Sequence, residues 1–129
     1  MCRYQLEGVN WMISSWAAKR NCMLADGMGL GKTAQIVATI AELSRTHGVS
    51  GPYLIIAPLS TIGHWSRELA SWSDMRTLTL HGLAGDRAVL VKYLWHGAEP
   101  NDDADGNAHA APRGKGKGSG FWFEVVVTT

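Results

Sequence analysis

The feature that most constrains this chain is a glycine-rich turn between a short apolar run and a helical pattern. Residues 21–25 are mostly apolar, and residues 26–33 read Asp-Gly-Met-Gly-Leu-Gly-Lys-Thr. We expect a strand over 21–25, then a loop, then a helix that begins at Lys32. Glycines at alternate positions let backbone N–H groups approach an anion without a Cβ in the way. The turn therefore predicts a phosphate-binding loop at a helix N-terminus.

The residues that end this turn match the chemistry of a P-loop. Lys32 would place its ammonium group between the β- and γ-phosphates, and the Thr33 hydroxyl would bind Mg²⁺. The strict P-loop spacing requires glycine where this chain has Asp26, so the generic pattern is missed by one residue. A glycine turn with an incidental Gly-Lys-Thr is the alternative. Nucleotide binding by itself leaves kinases, GTPases and translocating ATPases open.

The rest of the chain alternates strand and helix patterns. Apolar periodicity predicts helices over 3–16 and 32–45, a third that Ser60 caps, and a fourth over 86–95. Trp11, Trp16, Trp65 and Trp72 lie at near-helical spacings, which favours core positions over base-stacking ones. Strands are expected over 53–57, 77–80 and 121–128. This alternation predicts an α/β fold, a parallel sheet with helices on both faces. We expect one domain over 1–96, a disordered Gly/Lys/Asp-rich loop or insertion over 97–120, and a further strand of the same domain over 121–129.

Composition excludes several classes of protein. The chain has 129 residues, a formal net charge of +1 and only two cysteines. A disulfide scaffold is therefore excluded, which fits a reducing compartment. No window approaches the about 18 apolar residues of a membrane span, so no membrane partner is expected. The five histidines lack metal-ligand spacing. The near-neutral charge gives no sign of nucleic-acid binding, which must be argued from motifs.

Several ordered motifs resemble one family. Residues 4–11 read Tyr-Gln-Leu-Glu-Gly-Val-Asn-Trp, residues 21–26 Asn-Cys-Met-Leu-Ala-Asp, residues 28–35 Met-Gly-Leu-Gly-Lys-Thr-Ala-Gln, and residues 51–62 Gly-Pro-Tyr-Leu-Ile-Ile-Ala-Pro-Leu-Ser-Thr-Ile. Together they resemble the start of a SWI/SNF-like chromatin-remodelling ATPase, and the amino-acid sequences of these motifs are closest to those of the chromodomain-helicase-DNA-binding subfamily. The resemblance covers roughly 3–95 and resumes at 123–129. It implies the N-terminal part of a RecA-like P-loop NTPase lobe, and it explains Asp26, which that family also has.

The resemblance also implies roles for individual residues. Gln5 would read the adenine edge, since an amide can donate and accept in one plane; a surface glutamine is the alternative. Lys32 and Thr33 would act in catalysis, with Mg²⁺ on Thr33. Ser60, Thr61 and Thr128 would contact DNA phosphates, although Ser60 and Thr61 could equally serve as helix caps. The implied ATP-binding residues are Gln5, Asp26, Gly27, Met28, Gly29, Leu30, Gly31, Lys32 and Thr33.

Two departures from the family pattern affect the expected activity. Gly27 stands where the family has Glu, and no Asp-Glu-Ala-His or similar acidic motif follows. Without the acidic hydrolysis motif and a second lobe, we expect the 129 residues alone to be an inactive fragment of a remodeller. The parent would be nuclear, would slide nucleosomes on double-stranded DNA and would join remodelling-complex subunits. The alternatives are a non-catalytic, truncated nucleotide-binding module and a small P-loop enzyme such as a nucleotide kinase.

Overall fold

A computed structural model of the chain describes residues 1–91 and 123–129, and it confirms the α/β class with a parallel sheet. In chain order, its elements are α1 (Arg3–Ala17), α2 (Lys32–Arg45), β1 (Tyr53–Ile56), α3 (Leu59–Trp72), β2 (Thr77–Leu80), α4 (Ala84–Leu90) and β3 (Val125–Thr128). The predicted segment 97–120 lies outside the described residues, and the proposed division into 1–96, 97–120 and 121–129 stays a prediction.

Within residues 1–91 and 123–129, three parallel strands form a sheet in the order β1-β3-β2. Val125 of β3 lies between Tyr53 of β1 and Thr77 of β2, and Thr128 lies between Ile56 and Leu80. The last strand in sequence is therefore the central strand in space. Its three valines are almost fully buried, as their consecutive apolar pattern predicts for a strand with neighbours on both sides.

One face of the sheet packs against α2 and α3. Val37 of α2 and Leu69 of α3 are fully buried against it, together with Ile55 of β1 and with Val125 and Val127 of β3. A second, smaller cluster on the other face contains Leu78, Phe123 and Val126. The parallel register brings the carboxyl ends of β1 and β3 to one edge, beside the start of α3.

The expected strand over 21–25 is not formed. These residues belong to no helix or strand, and Met23 is 82% exposed. A strand is stable only when its backbone N–H and C=O groups pair with a neighbour. The described residues provide three strands, which pair only with one another, so this segment has no partner among them.

Burial is less complete than the apolar patterns predict. Leu54 and Ile56 on the second face of β1 are 63% and 71% exposed, so β1 is buried on one face only. Trp11, Trp16 and Trp72 are also exposed, although their helical spacing predicted core positions. Amphipathic spacing finds the face that a helix or strand can bury, but not whether a neighbour covers it.

Several boundaries differ from the sequence predictions: α1 ends at Ala17 rather than at 16, and β1 ends at Ile56 rather than at 57. Helix α3 has Pro58 at its N-cap, so Ser60 lies inside the first turn and does not cap the helix as predicted. Helix α4 begins at Ala84 rather than at position 86, and β3 begins at Val125 rather than at 121. The parts of these two predictions that cover 92–95 and 121–122 lie outside the described residues. Within the described residues, no helix is long and apolar enough to cross a membrane.

Candidate nucleotide-binding site

The glycine loop, residues 26–31, leads into the N-terminus of α2. Gly29 and Gly31 have φ angles of 81° and 72°, in the left-handed region that favours glycine. Gly31 is the N-cap of α2 and supplies no side-chain cap; the first helical hydrogen bond runs from the N–H of Gln35 to the Gly31 carbonyl. The N–H groups of residues 32–34 therefore have no intrahelical acceptor. Free N–H groups of this kind can bind an anion at a helix N-terminus, and anion binding here stays a prediction.

Lys32 folds back over this loop. Its Nζ donates hydrogen bonds of 2.8 Å to the carbonyl oxygens of both Asp26 and Gly27. The ammonium group thus lies inside the curve of the loop, hydrogen-bonded to two of its carbonyl groups. A phosphate group at the loop would meet this charge at close range, and it would compete with the two carbonyls for the three protons of the ammonium group.

Gln5 reaches the loop from α1. Its Nε2 donates to the Leu30 carbonyl at 3.3 Å, and its Oε1 accepts from the backbone N–H of Cys2 at 2.8 Å. The structure thus brings Gln5 to the glycine loop, as the resemblance implies. Its amide keeps a second N–H and a second oxygen lone pair, with which it could bond an adenine edge.

Gln35 is a functional candidate that sequence reasoning missed. It is fully buried, and its Nε2 donates to Asp26 Oδ2 at 3.0 Å and to the Leu30 carbonyl at 3.4 Å. A possible sequence signal was a glutamine on the buried side of a helix, beside Ala34 and one turn before Thr39, where apolar residues are usual. Its contacts with the loop and with α1 join distant parts of the chain, which periodicity cannot show.

A cavity of about 320 Å³ lies beside the loop. It is lined by Gly29, Gly31, Lys32, Thr33, Ala34, His64 and Glu68. Thr33 is therefore at the cavity, as predicted, whereas His64 and Glu68 of α3 were not expected there. Met28 is 96% exposed and is not one of the residues that line this cavity.

A larger hollow of about 540 Å³ lies elsewhere, between α1 and residues 23–26. Its lining includes Tyr4, Glu7, Trp11 and Asp26, but no lysine and no residue of the first turn of α2. Phosphate groups need cationic side chains or free N–H groups. The smaller cavity is therefore the better candidate for a phosphate site, despite its size.

The three predicted DNA-contact residues lie at the carboxyl ends of neighbouring strands. Ser60 is exposed in the first turn of α3, and Thr61 Oγ1 donates to the Pro58 carbonyl at 2.8 Å. Thr128 Oγ1 donates to the Leu80 carbonyl at 2.8 Å, and the N–H of Ala57 donates to the Thr128 carbonyl at 2.9 Å. The structure thus brings these residues to one edge of the sheet, and each hydroxyl oxygen can still accept a hydrogen bond.

Comparison with known families identifies the class of protein that has this loop and sheet. The SNF2-related domain family matches residues 4–108, which is most of the chain. The chain therefore belongs to the SNF2-related family, a family of chromatin-remodelling, helicase-like ATPases.

Similar proteins narrow this class to one subfamily. Chromodomain-helicase-DNA-binding protein 8 of Danio rerio is 49% identical over 98% of the chain, and protein 6 of Rattus norvegicus is 42% identical over the same share. Protein 8 of Homo sapiens is 49% identical over 70% of the chain. The resemblance to the chromodomain-helicase-DNA-binding subfamily is thus confirmed. The chain spans only 3% to 4% of the length of these relatives.

Proposed function

We propose that this chain supplies the ATP-binding loop and the first DNA contact of an ATP-dependent translocase that remodels chromatin by sliding nucleosomes. The observation that carries the proposal is the glycine loop: a left-handed Gly31 at the start of α2, free N–H groups behind it and the Lys32 ammonium group inside the curve. The names of the relatives, which contain both "helicase" and "DNA-binding", support the same reading.

The loop fits the polyphosphate of a nucleotide. Among the described residues, no heavy atom beyond the two chain neighbours of Gly29 lies within 4 Å of the position that a Cβ there would occupy, so the backbone is open to a ligand. The N–H groups of residues 32–34 would donate to phosphate oxygens, and Lys32 would neutralise part of their charge. ATP supplies the phosphoryl group whose hydrolysis drives the parent enzyme. The residues of this chain bind and orient it, with Gln5 directed at the adenine.

Mg²⁺ fits this site only together with the nucleotide. Within residues 1–91 and 123–129, no group of three His, Cys, Asp or Glu side chains could hold a metal ion. Mg²⁺ is commonly bound by one or two protein oxygens together with substrate phosphates and waters. The Thr33 hydroxyl at the cavity is the oxygen that we assign to this role.

The edge formed by Ser60, Thr61 and Thr128 would bind a phosphate of double-stranded DNA. Hydroxyl groups and helix N-termini are common partners of DNA phosphates, and such contacts position a protein on a duplex without reading its sequence. Sequence-independent binding is what a translocase requires. We place the parent protein in the nucleus, with nucleosomes and remodelling-complex subunits as its partners.

A non-catalytic nucleotide-binding module is the second candidate, and one observation favours it. Among the described residues that line the cavity, one carries a carboxylate: Glu68, which accepts from the indole N–H of Trp72 at 3.0 Å. Efficient phosphoryl transfer uses both an acidic residue that holds Mg²⁺ and a residue that orients the attacking water. This candidate predicts ATP binding by the chain without DNA-stimulated hydrolysis.

The test of the proposal is a titration of the chain with a fluorescent ATP analogue and Mg²⁺. Lys32→Ala should weaken binding about a hundredfold, because a hydrogen-bonded charge on phosphate is lost. Lys19→Ala is the matched control, since Lys19 is exposed at the end of α1 and lines neither cavity. Equal affinity of the two variants would overturn the site assignment. DNA-stimulated hydrolysis by the chain, if measured, would count against the non-catalytic binding module.

A further inference from the structure

Two glutamine amides converge on one carbonyl group of the glycine loop. Gln5 of α1 and Gln35 of α2 each donate a hydrogen bond from Nε2 to the Leu30 carbonyl. Neither glutamine lines the cavity beside the loop. The effect that they share is on the direction of a backbone peptide group.

The direction of this peptide group determines where a phosphate-binding N–H points. The Leu30–Gly31 peptide is trans, so the Gly31 N–H points opposite to the Leu30 carbonyl. Because the carbonyl is held on the side of the two glutamines, the N–H is directed away from them. Gly31 itself lines the cavity. A peptide flip would instead present a carbonyl oxygen, which repels phosphate.

Gln35 is better placed than Gln5 to hold this arrangement. Its Nε2 also bonds Asp26 Oδ2 at the other end of the loop, so one side chain ties both ends together. It is fully buried, whereas Gln5 is partly exposed. The orientation of the Gln35 amide is determined as well, since both neighbours, the Asp26 carboxylate and the Leu30 carbonyl, are acceptors.

The buried oxygen of Gln35 indicates that the position of this side chain costs folding free energy. Oε1 has no hydrogen-bond partner in the part of the chain that the structure describes. It lies against Gly8 of α1, where a Cβ would meet it in close contact. Burying an unpaired amide oxygen is unfavourable, so an apolar side chain of the same length would pack there at less cost. Core packing alone therefore does not account for a glutamine at this position.

We propose that Gln35 is a positioning residue, which holds the Leu30–Gly31 peptide so that the Gly31 N–H faces the phosphates of a bound nucleotide. The inference rests on the proposed nucleotide site. It extends that site to a residue that does not contact the nucleotide. Gly8 allows the placement, because any larger residue there would displace the amide.

The test compares two variants at the interface of α1 and α2. Gln35→Met keeps the side-chain length but removes both hydrogen bonds to the loop. Thr39→Val is the matched control: Thr39 is buried one turn further along α2 and donates to the Gln35 carbonyl and Met12 Sδ, but not to the loop. Both variants are titrated with MgADP and with inorganic pyrophosphate, and their thermal unfolding is recorded.

The expected result separates affinity from stability. Gln35→Met should unfold at a temperature close to that of the wild type, yet bind both probes about tenfold more weakly, as expected for one lost hydrogen bond to a charged group. Thr39→Val should bind both probes like the wild type. A Gln35→Met variant with wild-type affinity, or an equal loss of affinity in both variants, would overturn the inference.

Two further results complete the test. If Gln35→Met does not fold, Gly8→Ala replaces it: alanine favours a helix, but its methyl group would displace the Gln35 oxygen. Weaker pyrophosphate binding with unchanged helix content supports the proposal, and unchanged binding overturns it. A wild-type chain that binds neither probe overturns the proposed nucleotide site itself, and the inference with it. That result is distinct from the failure of Gln35 alone.

Discussion

The glycine loop and the strand-end edge (Ser60, Thr61 and Thr128) are both predicted to bind phosphate groups, but they are built differently. In the glycine loop, three side chains, Lys32, Gln5 and Gln35, hydrogen-bond to backbone carbonyls of the loop. At the strand-end edge, Ser60 is exposed, Thr61 bonds to the start of its own helix, and Thr128 bonds to the Leu80 carbonyl.

This difference has a physical consequence for binding. Lys32 and Gln5, which are predicted to bind the nucleotide, also bond to carbonyl groups of the loop, so nucleotide binding should compete with these internal hydrogen bonds. At the strand-end edge, the Ser60 hydroxyl makes no such hydrogen bond to the described residues. Gly31→Ala in the loop should therefore change stability and binding together, whereas Ser60→Ala at the strand-end edge should change binding alone.

The largest effect is expected for Gly31→Ala. An alanine at φ 72° is strained by about 1–2 kcal/mol, and its Cβ would meet Gln5 Nε2 in close contact. We expect a lower free energy of unfolding and weaker MgADP binding, measured by denaturant titration and by fluorescence. Gly63→Ala in α3 is the control, since its Cβ would meet nothing closer than Arg67 at 3.7 Å. Should the two variants behave alike, the loop would not be a conformationally determined site.

A smaller effect, on binding alone, is expected for Ser60→Ala. Loss of one hydroxyl contact to a DNA phosphate should weaken duplex binding about fivefold at low salt. The unfolding free energy and MgADP affinity should stay unchanged, because Ser60 is exposed and caps nothing. Ser71→Ala, near the opposite end of α3, is the matched control for fluorescence-anisotropy measurements with a DNA duplex. A loss of stability in Ser60→Ala would erase the contrast between the two regions.

Gly27→Glu sharpens the comparison within the loop. Gly27 lacks a positive φ, and a Cβ there would meet only Leu30 Cδ1, at an ordinary 3.5 Å. We expect a change of less than about 0.5 kcal/mol in unfolding free energy, as for most exposed positions. Thermal unfolding next to Gly31→Ala checks this. A loss as large as that of Gly31→Ala would mean that the whole loop, not its two left-handed glycines, is sterically restricted.

The smallest effect concerns pH and β1, the strand that leads to Ser60. Burial raises the pKa of the Tyr53 hydroxyl, which donates to the Val49 carbonyl at 2.6 Å. The folded chain therefore keeps this proton more tightly than the unfolded chain does. Stability should be complete below the unfolded pKa, about 10, and should fall as pH rises above it. Tyr53→Phe should lessen this alkaline loss in chemical denaturation at pH 9 to 11; an identical loss would contradict the assignment to Tyr53.

Local patterns predicted much of the fold. The bounds of α2 and β2 match the sequence predictions, because apolar periodicity and short alternation are properties of neighbouring residues. The strand over 21–25 was predicted wrongly, because strand formation depends on a partner that an apolar run does not reveal. Trp11 and Trp16 failed as core residues for a similar reason: a helix face is buried only where another element covers it.

In the candidate site, too, residues within a local motif could be predicted, whereas residues that depend on long-range contacts could not. Lys32 and Thr33 could be predicted because their chemistry and spacing occur within one short motif, although their roles stay predictions. Gln35 could not be predicted, since its importance depends on contacts with Gly8 and Asp26, which are distant in sequence or lie beyond its own helix. Glu68 likewise reaches the cavity only through the packing of α3 beside α2.

The most direct test of the account is a ¹H–¹⁵N NMR titration of the whole chain with MgADP. If the glycine loop binds the phosphates, the largest amide shifts should occur at residues 29–34, where the N–H groups of the loop and of the first turn of α2 meet the phosphates. Lys32→Ala should remove them. Shifts concentrated at Tyr4, Trp11 and residues 23–26, with the loop amides unchanged, would place the nucleotide in the larger hollow along α1. They would contradict nucleotide binding at the glycine loop.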